Sequence, residues 1–207
     1  MFETLILIFL IMFILIYKLK YKSSIISIEA FNKKVFFVND LNDAQDAANI
    51  LAKIIIKMEK LIDNIITDYE KGLLKTADDN KHIQYVKIIK KRLPYVKISE
   101  NPTDSIYTSY SINKGEELVL CIRDKKNLKI HPINELLYVA IHEIGHIGCP
   151  EVGHTDLFRE INIYLLEKAV CYNIYTYIDY MQNNYNYFGM VLTSTILNNK
   201  IKCNFIK

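Results

Sequence analysis

The sequence predicts an α+β fold in which helices and a small mixed sheet lie behind a single N-terminal transmembrane helix. Three observations lead to this prediction. An apolar run opens the chain, amphipathic helical patterns alternate with short β-branched and aromatic runs through its middle, and a helical pattern near residue 140 carries two histidines four positions apart.

The first element is the apolar run MFETLILIFLIMFILIY over residues 1–17. As a helix it would span about 25 Å, and three lysines follow at positions 18, 20 and 22. No positive segment precedes the run and no small-residue cleavage site follows it, which disfavours a signal peptide. We therefore predict a transmembrane anchor at residues 1–20 and one domain at residues 21–207. The position of the lysines predicts that this domain faces the cytosol.

The cysteines agree with a cytosolic domain. The chain has four of them, at positions 121, 149, 171 and 203, without paired spacing. This pattern is typical of reduced thiols. The only match to the N-x-S/T glycosylation pattern is Asn101-Pro102-Thr103, which its proline disqualifies.

The middle of the chain predicts alternating strands and helices. Residues 35–38 are expected to form a short strand, and residues 42–69 a long amphipathic helix. A shorter basic helix is predicted over residues 81–92. Residues 107–112 and 117–123 flank a turn signal and predict a hairpin. Either strand of that hairpin could be an edge that binds an extended peptide, and the sequence does not say which.

The basic helix raises the question of an anionic partner. Its cations lie at positions 81, 87, 90, 91 and 92, but the net charge of the chain is only +3. We interpret the helix as having a solvated charged face, with anionic lipid as the next choice. The sequence does not favour nucleic acid as a partner.

The next helical pattern contains His142-Glu143-Ile144-Gly145-His146. Histidines four apart on a helix point from the same face, so both imidazoles can reach one ion. We expect Asn134 to cap the N-terminus, and Gly148 and Pro150 to stop the helix. One apolar stripe is predicted to face the core: Leu136, Leu137, Ala140, Ile141 and Ile144.

A catalytic zinc needs a third protein ligand and one position left for water. Three residues compete for this role. His154 follows Gly153 at a turn and precedes Thr155, which can cap a helix predicted to run to about Tyr180. Glu167 lies inside that helix, and Glu151 lies in the turn beside Pro150. Ligand preference favours His154, and the other two stay open as alternatives.

Glu143 follows the first histidine directly and would lie beside the ion. A carboxylate in this place can take a proton from a water that zinc has acidified, so Glu143 is the predicted general base. Cys149 is expected to be a small buried thiol in the turn rather than a soft ligand.

A larger segment, residues 109–190, resembles a known family. The matching stretches are Tyr110-Ser111-Ile112-Asn113-Lys114-Gly115, residues 118–124 and HEIGHIGCPEVGHTDLF at 142–158. Residues 46–51 and Tyr187-Phe188-Gly189-Met190 also match, with Phe188 in place of a cysteine. These stretches resemble the SprT/WLM type of small zinc metallopeptidase, above all its members in nucleocytoplasmic large DNA viruses.

The resemblance implies a zincin-like domain with a metal-site core at about residues 107–190. It also implies one Zn²⁺ per chain, held by His142, His146 and His154, with Glu143 as catalytic acid/base and a protein or peptide as substrate. Cellular relatives of this type cut proteins crosslinked to DNA.

The predicted function is therefore a membrane-anchored zinc metalloprotease. Its residues 1–20 are predicted to contact the lipid bilayer. Two alternatives stay open. One is a non-enzymatic viral or membrane protein with a structural zinc site. The other is a protease for DNA–protein crosslinks, which the anchor and the modest charge disfavour. The oligomeric state is not predicted.

Overall fold

The structure is a computed structural model that describes residues 6–13, 24–188, 190–192, 197, 201 and 203. Its strands are β1 (Ile25–Glu29), β2 (Val35–Asn39), β3 (Lys97–Glu100), β4 (Tyr110–Ile112), β5 (Glu117–Leu120), β6 (Tyr185–Tyr187) and β7 (Met190–Leu192). Its longer helices are α1 (Ala44–Glu70), α2 (Ala77–Arg92), α3 (Ile133–Gly148) and α4 (Asp156–Cys171), and a 3₁₀ turn at Leu93–Tyr95 follows α2.

Five of the strands form one mixed sheet in the order β1-β2-β3-β5-β4. The pairs β2–β3 and β3–β5 are parallel, whereas β1–β2 and β4–β5 are antiparallel. The predicted α+β class with a small mixed sheet is thus confirmed. Strand β5 is paired on both sides, while β4 pairs only with β5 among the described strands, with Ser111 opposite Leu118. The edge strand of the predicted hairpin is therefore β4.

The sheet has one face against the helices. In β2, Phe36 and Val38 are 3% and 0% exposed, whereas Val35 and Phe37, which alternate with them, are exposed. This alternation is the period of two expected for a strand with one buried face. Helix α1 packs on that face, and its long apolar stripe, predicted from the sequence, is buried.

Helix α2 begins at Ala77, before the predicted start at residue 81. A capping box explains the earlier start: Thr76 Oγ1 accepts from the Asp79 N–H at 3.0 Å, and the Asp79 carboxylate accepts from the Thr76 N–H at 3.0 Å. Two of the basic residues of α2 contact other elements of the chain. Lys81 pairs with Glu160 at 2.6 Å, and Arg92 donates to the Ile147 carbonyl at 2.9 Å.

Helix α3 confirms the predicted apolar stripe, all five members of which are at most 2% exposed. The predicted cap is wrong. Pro132 is the N-cap residue and makes no side-chain cap bond. Asn134 instead exchanges two hydrogen bonds with the Thr176 backbone, at 2.8 and 2.9 Å, because the chain after α4 returns to this helix end.

Helix α4 starts as predicted, with Thr155 Oγ1 accepting from the Phe158 N–H at 3.3 Å. It ends at Cys171 rather than near Tyr180, and Asn173 has a left-handed φ of 55° just beyond. Cys171 forms a disulfide with Cys203. The prediction that all four thiols are reduced is therefore wrong, since a pair 32 residues apart in sequence leaves no local spacing signal.

The predicted single-pass membrane location, with the domain facing the cytosol, is also wrong. Among the described residues, none of the helices combines the length and the apolar character needed to cross a bilayer. Residues 6–13 are helical and exposed. The remainder of the predicted anchor at residues 1–20 lies outside the described residues.

Candidate metal centre

Three imidazoles converge at the C-terminal half of α3. His142 and His146 project from successive turns of this helix, and His154 projects from the loop before α4. The ring centroids lie 5.1, 5.0 and 5.1 Å apart, which makes a nearly equilateral triangle. The sequence predicted this set, and the structure brings its three members together.

The nitrogen atoms are close enough to share one cation. One ring nitrogen from each histidine lies within 4.8 Å of the other two, and His142 Nε2 lies 3.0 Å from His154 Nε2. Three nitrogens around a tetrahedral zinc are about 3.3 Å apart. The residues present therefore fit a zinc ion.

Phe158 forms the floor under this triangle. Its ring, 2% exposed, stacks on His146 at 3.9 Å and meets His142 and His154 edge-on at 4.8 and 5.2 Å. Gly145 allows this approach, since a Cβ there would lie 3.3 Å from the Phe158 ring. The sequence predicts Phe158 as a packing residue of helix α4 but assigns it no role beside the histidines, although its place at the N-terminal turn of α4 is set by the Thr155 cap.

Two cations hold the loop between the second and third histidines. The Lys114 ammonium donates to the carbonyls of Cys149, Pro150 and Glu151, with distances of 3.0 Å to the first and 3.2 Å to the last. Arg92 donates to the Ile147 carbonyl at the end of α3. Lys114 lies in the β4–β5 turn, so the edge strand and the loop that carries His154 are joined by one side chain.

The electrostatics of the site favour neutral imidazoles. Burial, with the neighbouring His146 and His154, lowers the pKa of His142 to about 3. Burial, with His154 and Lys114 nearby, lowers the pKa of His146 to about 4. Both rings are therefore uncharged at neutral pH, which is the form that binds metal.

Glu143 is 6% exposed, and burial raises its pKa to about 7. Burial is the cause of this shift, and no neighbouring charge offsets it. Burying a carboxyl in this way is unfavourable for a residue with a purely structural role. A group poised near neutrality at the wall of a cleft is typical of a proton-transfer site.

A cavity of about 920 Å³ opens over the histidines and Glu143. One wall is the edge strand with the residues before it, at 108–111, and Tyr138 and Val139 of α3 form another. Tyr187 also lines the cavity, and its hydroxyl shares a 2.8 Å hydrogen bond with Ser109 Oγ. The sequence assigns no role to the frequent tyrosines of residues 172–187, because only the fold returns β6 to this cavity.

The other candidate ligands lie elsewhere. Glu151 lines the cavity but is not part of the three-histidine group, which is the whole group found within the described residues. Burial raises the pKa of Glu167, and the nearby Asp78 raises it further. Glu167 is also outside the three-histidine group. Cys149 is a buried free thiol, as predicted.

The fold and the site define an α+β protein that can hold one metal ion between three histidines beside a buried glutamate. Uncharacterized protein R325 of Acanthamoeba polyphaga mimivirus is 35% identical over 185 residues, which are 89% of this chain and 90% of that protein. The chain belongs to the family of this mimivirus protein.

Further relatives match shorter segments. Uncharacterized protein 136R of Invertebrate iridescent virus 6 is 38% identical over 82 residues, covering 39% of this chain and 43% of that protein. Uncharacterized protein 042R of Invertebrate iridescent virus 3 is 39% identical over 67 residues, which cover 32% of this chain and 42% of that protein. No family model matches the chain.

Among solved structures, that of Wss1 from Saccharomyces cerevisiae is similar, in mutant and unaltered forms. The mutant has a TM-score of 0.34 and 17% identity, covering 49% of this chain and 88% of that one. The other form also has a TM-score of 0.34, and the match covers 47% of this chain and 84% of that one.

Proposed function

We propose that the chain is a zinc-dependent endopeptidase of the SprT/WLM type. In this proposal His142, His146 and His154 hold one zinc ion and Glu143 is the general base. The observation that carries it is the convergence of the three imidazoles beside a buried glutamate, at the wall of an open cavity. The peptidase domain is residues 21–207, with the metal-site core at about residues 107–190.

A zinc ion bound there would supply Lewis acidity, which acidifies water and polarises a substrate carbonyl. Glu143 takes the proton from the attacking water and passes it to the leaving amine. The water oxygen forms the new bond to the carbonyl carbon, and the carbon–nitrogen bond breaks. Burial of Glu143 supports this role, because a carboxyl with a pKa of about 7 can both accept and release a proton near neutral pH.

A catalytic centre is favoured over a structural zinc site. Structural zinc is held almost always by four protein ligands, whereas a catalytic zinc has three and keeps one position for water. The group found in the described residues has three histidines and no fourth His, Cys, Asp or Glu donor. The buried thiol of Cys149 is nearby in sequence but is outside that group.

Strand β4 supports a peptide substrate. It has no second neighbour among the described strands, and residues 108–111 line the cavity beside Glu143. An extended peptide can add to such an edge through backbone hydrogen bonds, which brings its scissile bond over the histidines. Recognition through the backbone would tolerate many side chains, as suits a general endopeptidase.

The test uses the full chain and its Glu143→Gln variant. Metal analysis should find about one zinc in each protein, because Glu143 is not a ligand. Cleavage of an unfolded protein such as reduced casein should fall by at least about 100-fold in the variant, since general-base catalysis contributes this much. Glu160→Gln, on the exposed face of α4, is the matched control and should cleave like the parent.

Three results would contradict the proposal. If the parent protein contains no zinc, the proposed metal centre is wrong. An inert parent that holds zinc favours a structural site. Equal cleavage by the parent and Glu143→Gln removes the proposed role of the glutamate.

A further inference from the structure

Asn162 is a buried polar residue next to the metal centre that the proposed mechanism does not use. Its side chain, in the second turn of α4, is 1% exposed. Its Nδ2 atom lies 3.4 Å from His142 Nδ1. Its Oδ1 atom is buried and has no hydrogen-bond partner among the described residues. A buried amide in this state calls for an explanation.

The two ends of the amide have nearly the same shape, so a half-turn about its last bond exchanges oxygen and nitrogen without changing the packing. With Nδ2 toward the ring, His142 must carry its proton on Nε2, the nitrogen that faces His154 at 3.0 Å. With Oδ1 toward the ring, the oxygen accepts the proton of Nδ1. The Nε2 lone pair then points into the three-histidine group.

We infer that Asn162 is a positioning residue, whose side-chain oxygen accepts the Nδ1–H of His142 and thereby presents Nε2 to the bound cation. The inference rests on the proposed function, because it requires a cation between the three imidazoles. Metal-binding histidines generally donate their second ring N–H to an acceptor, which sets the tautomer and the ring orientation. Asn162 supplies this acceptor from a separate helix.

The packing of α3 against α4 makes this contact reachable. A Cβ at Gly145 would lie 3.3 Å from the Phe158 ring and 4.0 Å from the Asn162 Cβ. The glycine inside the HExxH motif therefore lets α4 approach α3 at the level of the metal centre. Phe158 and Asn162 are four residues apart on α4 and so lie on the same face. Phe158 packs against the histidine rings, and Asn162 contacts Nδ1 of His142.

The experiment compares the full-length parent with Asn162→Leu and Asn162→Asp. Leucine has a similar volume without an acceptor, whereas aspartate retains one. Zinc affinity is measured by competition with a chromophoric chelator. The leucine variant should bind zinc about 10- to 100-fold more weakly. The aspartate variant should bind within about 3-fold of the parent or more tightly, because a carboxylate is the stronger acceptor.

A second measurement needs no variant. In zinc-loaded parent labelled with ¹⁵N-histidine, long-range ¹H–¹⁵N correlation identifies which His142 nitrogen carries the proton. We expect a slowly exchanging proton on Nδ1 and the metal on Nε2. The opposite arrangement overturns the inference, whether or not the leucine variant folds.

The remaining outcomes separate the two proposals. A parent that binds no zinc overturns the proposed function and this inference with it. A parent that binds zinc, together with a leucine variant of equal affinity, overturns the inference alone. An aspartate variant as weak as the leucine variant does the same, since it shows that the acceptor is not what matters at this position.

Discussion

Glu143 lies in an environment that disfavours its charged form. Burial raises its pKa to about 7, from an ordinary value of 4.5. The folded chain therefore holds this proton more tightly than the unfolded chain does. The stability of the metal-free protein should accordingly fall as the pH rises from about 4.5 to about 7.

The Glu143→Gln variant removes this penalty. We predict that metal-free Glu143→Gln gains about 3 kcal/mol relative to the parent when the pH is raised from 4.5 to 8. Urea unfolding of both metal-free proteins at the two pH values measures this gain. A difference between the proteins that does not change with pH would show that burial does not shift the titration of Glu143.

At the scale of the element, the β4–β5 turn contacts the loop that completes the three-histidine group. Its Lys114 side chain meets three carbonyls of the loop that carries His154. The turn residues Asn113 and Lys114 both have a left-handed φ, of 46° and 54°, which directs the chain back toward that loop. The loop thus depends on a residue far from it in sequence.

Replacing Lys114 by methionine should therefore weaken zinc binding. We predict a loss of about 10-fold in affinity, since three carbonyls lose their cation and the His154 loop is held less firmly. Lys114→Arg should restore part of the loss. Lys91→Met, on the exposed side of α2, is the control. An unchanged zinc affinity in Lys114→Met, by chelator competition, would contradict this account of the loop.

The free edge of β4 leads to a prediction about substrates. In an extended peptide, alternate amides point toward the strand and away from it. N-methylation of an amide that faces β4 should weaken binding by several-fold per hydrogen bond lost, whereas methylation of its neighbour should not. Inhibition constants for two such peptide isomers measure the difference. Equal inhibition by both isomers would exclude recognition through the edge.

At the scale of the whole molecule, the Cys171–Cys203 disulfide joins the end of α4 to the C-terminal segment. The segment between them contains β6, which places Tyr187 in the cavity wall. A cross-link closing a loop of this length stabilises a fold by about 3 kcal/mol, mainly through the unfolded state. The disulfide therefore supports the part of the chain that completes the cavity.

The Cys203→Ser variant should lose about 2 to 4 kcal/mol of stability in urea unfolding under oxidising conditions. A reducing agent should destabilise the parent by a similar amount. It should leave the stability of Cys203→Ser unchanged, because this variant has no Cys171–Cys203 disulfide to reduce, so the variant is the control for the reducing agent. If reduction affects both proteins equally, the effect does not come from this disulfide.

Much of the core could be predicted from local sequence. The apolar periods of α1 and α3 place their buried faces correctly, because a helix turns by the same angle at every residue. The stop at Gly148 and the cap at Thr155 also depend on neighbouring residues alone. Strands β1, β3, β6 and β7 were missed, because short strands are stabilised by partners that are distant in sequence.

The sequence by itself determined which side chains can bind a cation, since two histidines one helical turn apart must share a face whatever surrounds them. Only the tertiary structure decided that His154, rather than Glu167 or Glu151, completes the group, and that Phe158, Lys114 and Asn162 support it. It also decided that Cys171 meets Cys203. The physical reason is that these contacts join segments that are distant in sequence. Such contacts produce no periodic pattern of residues from which they could be predicted.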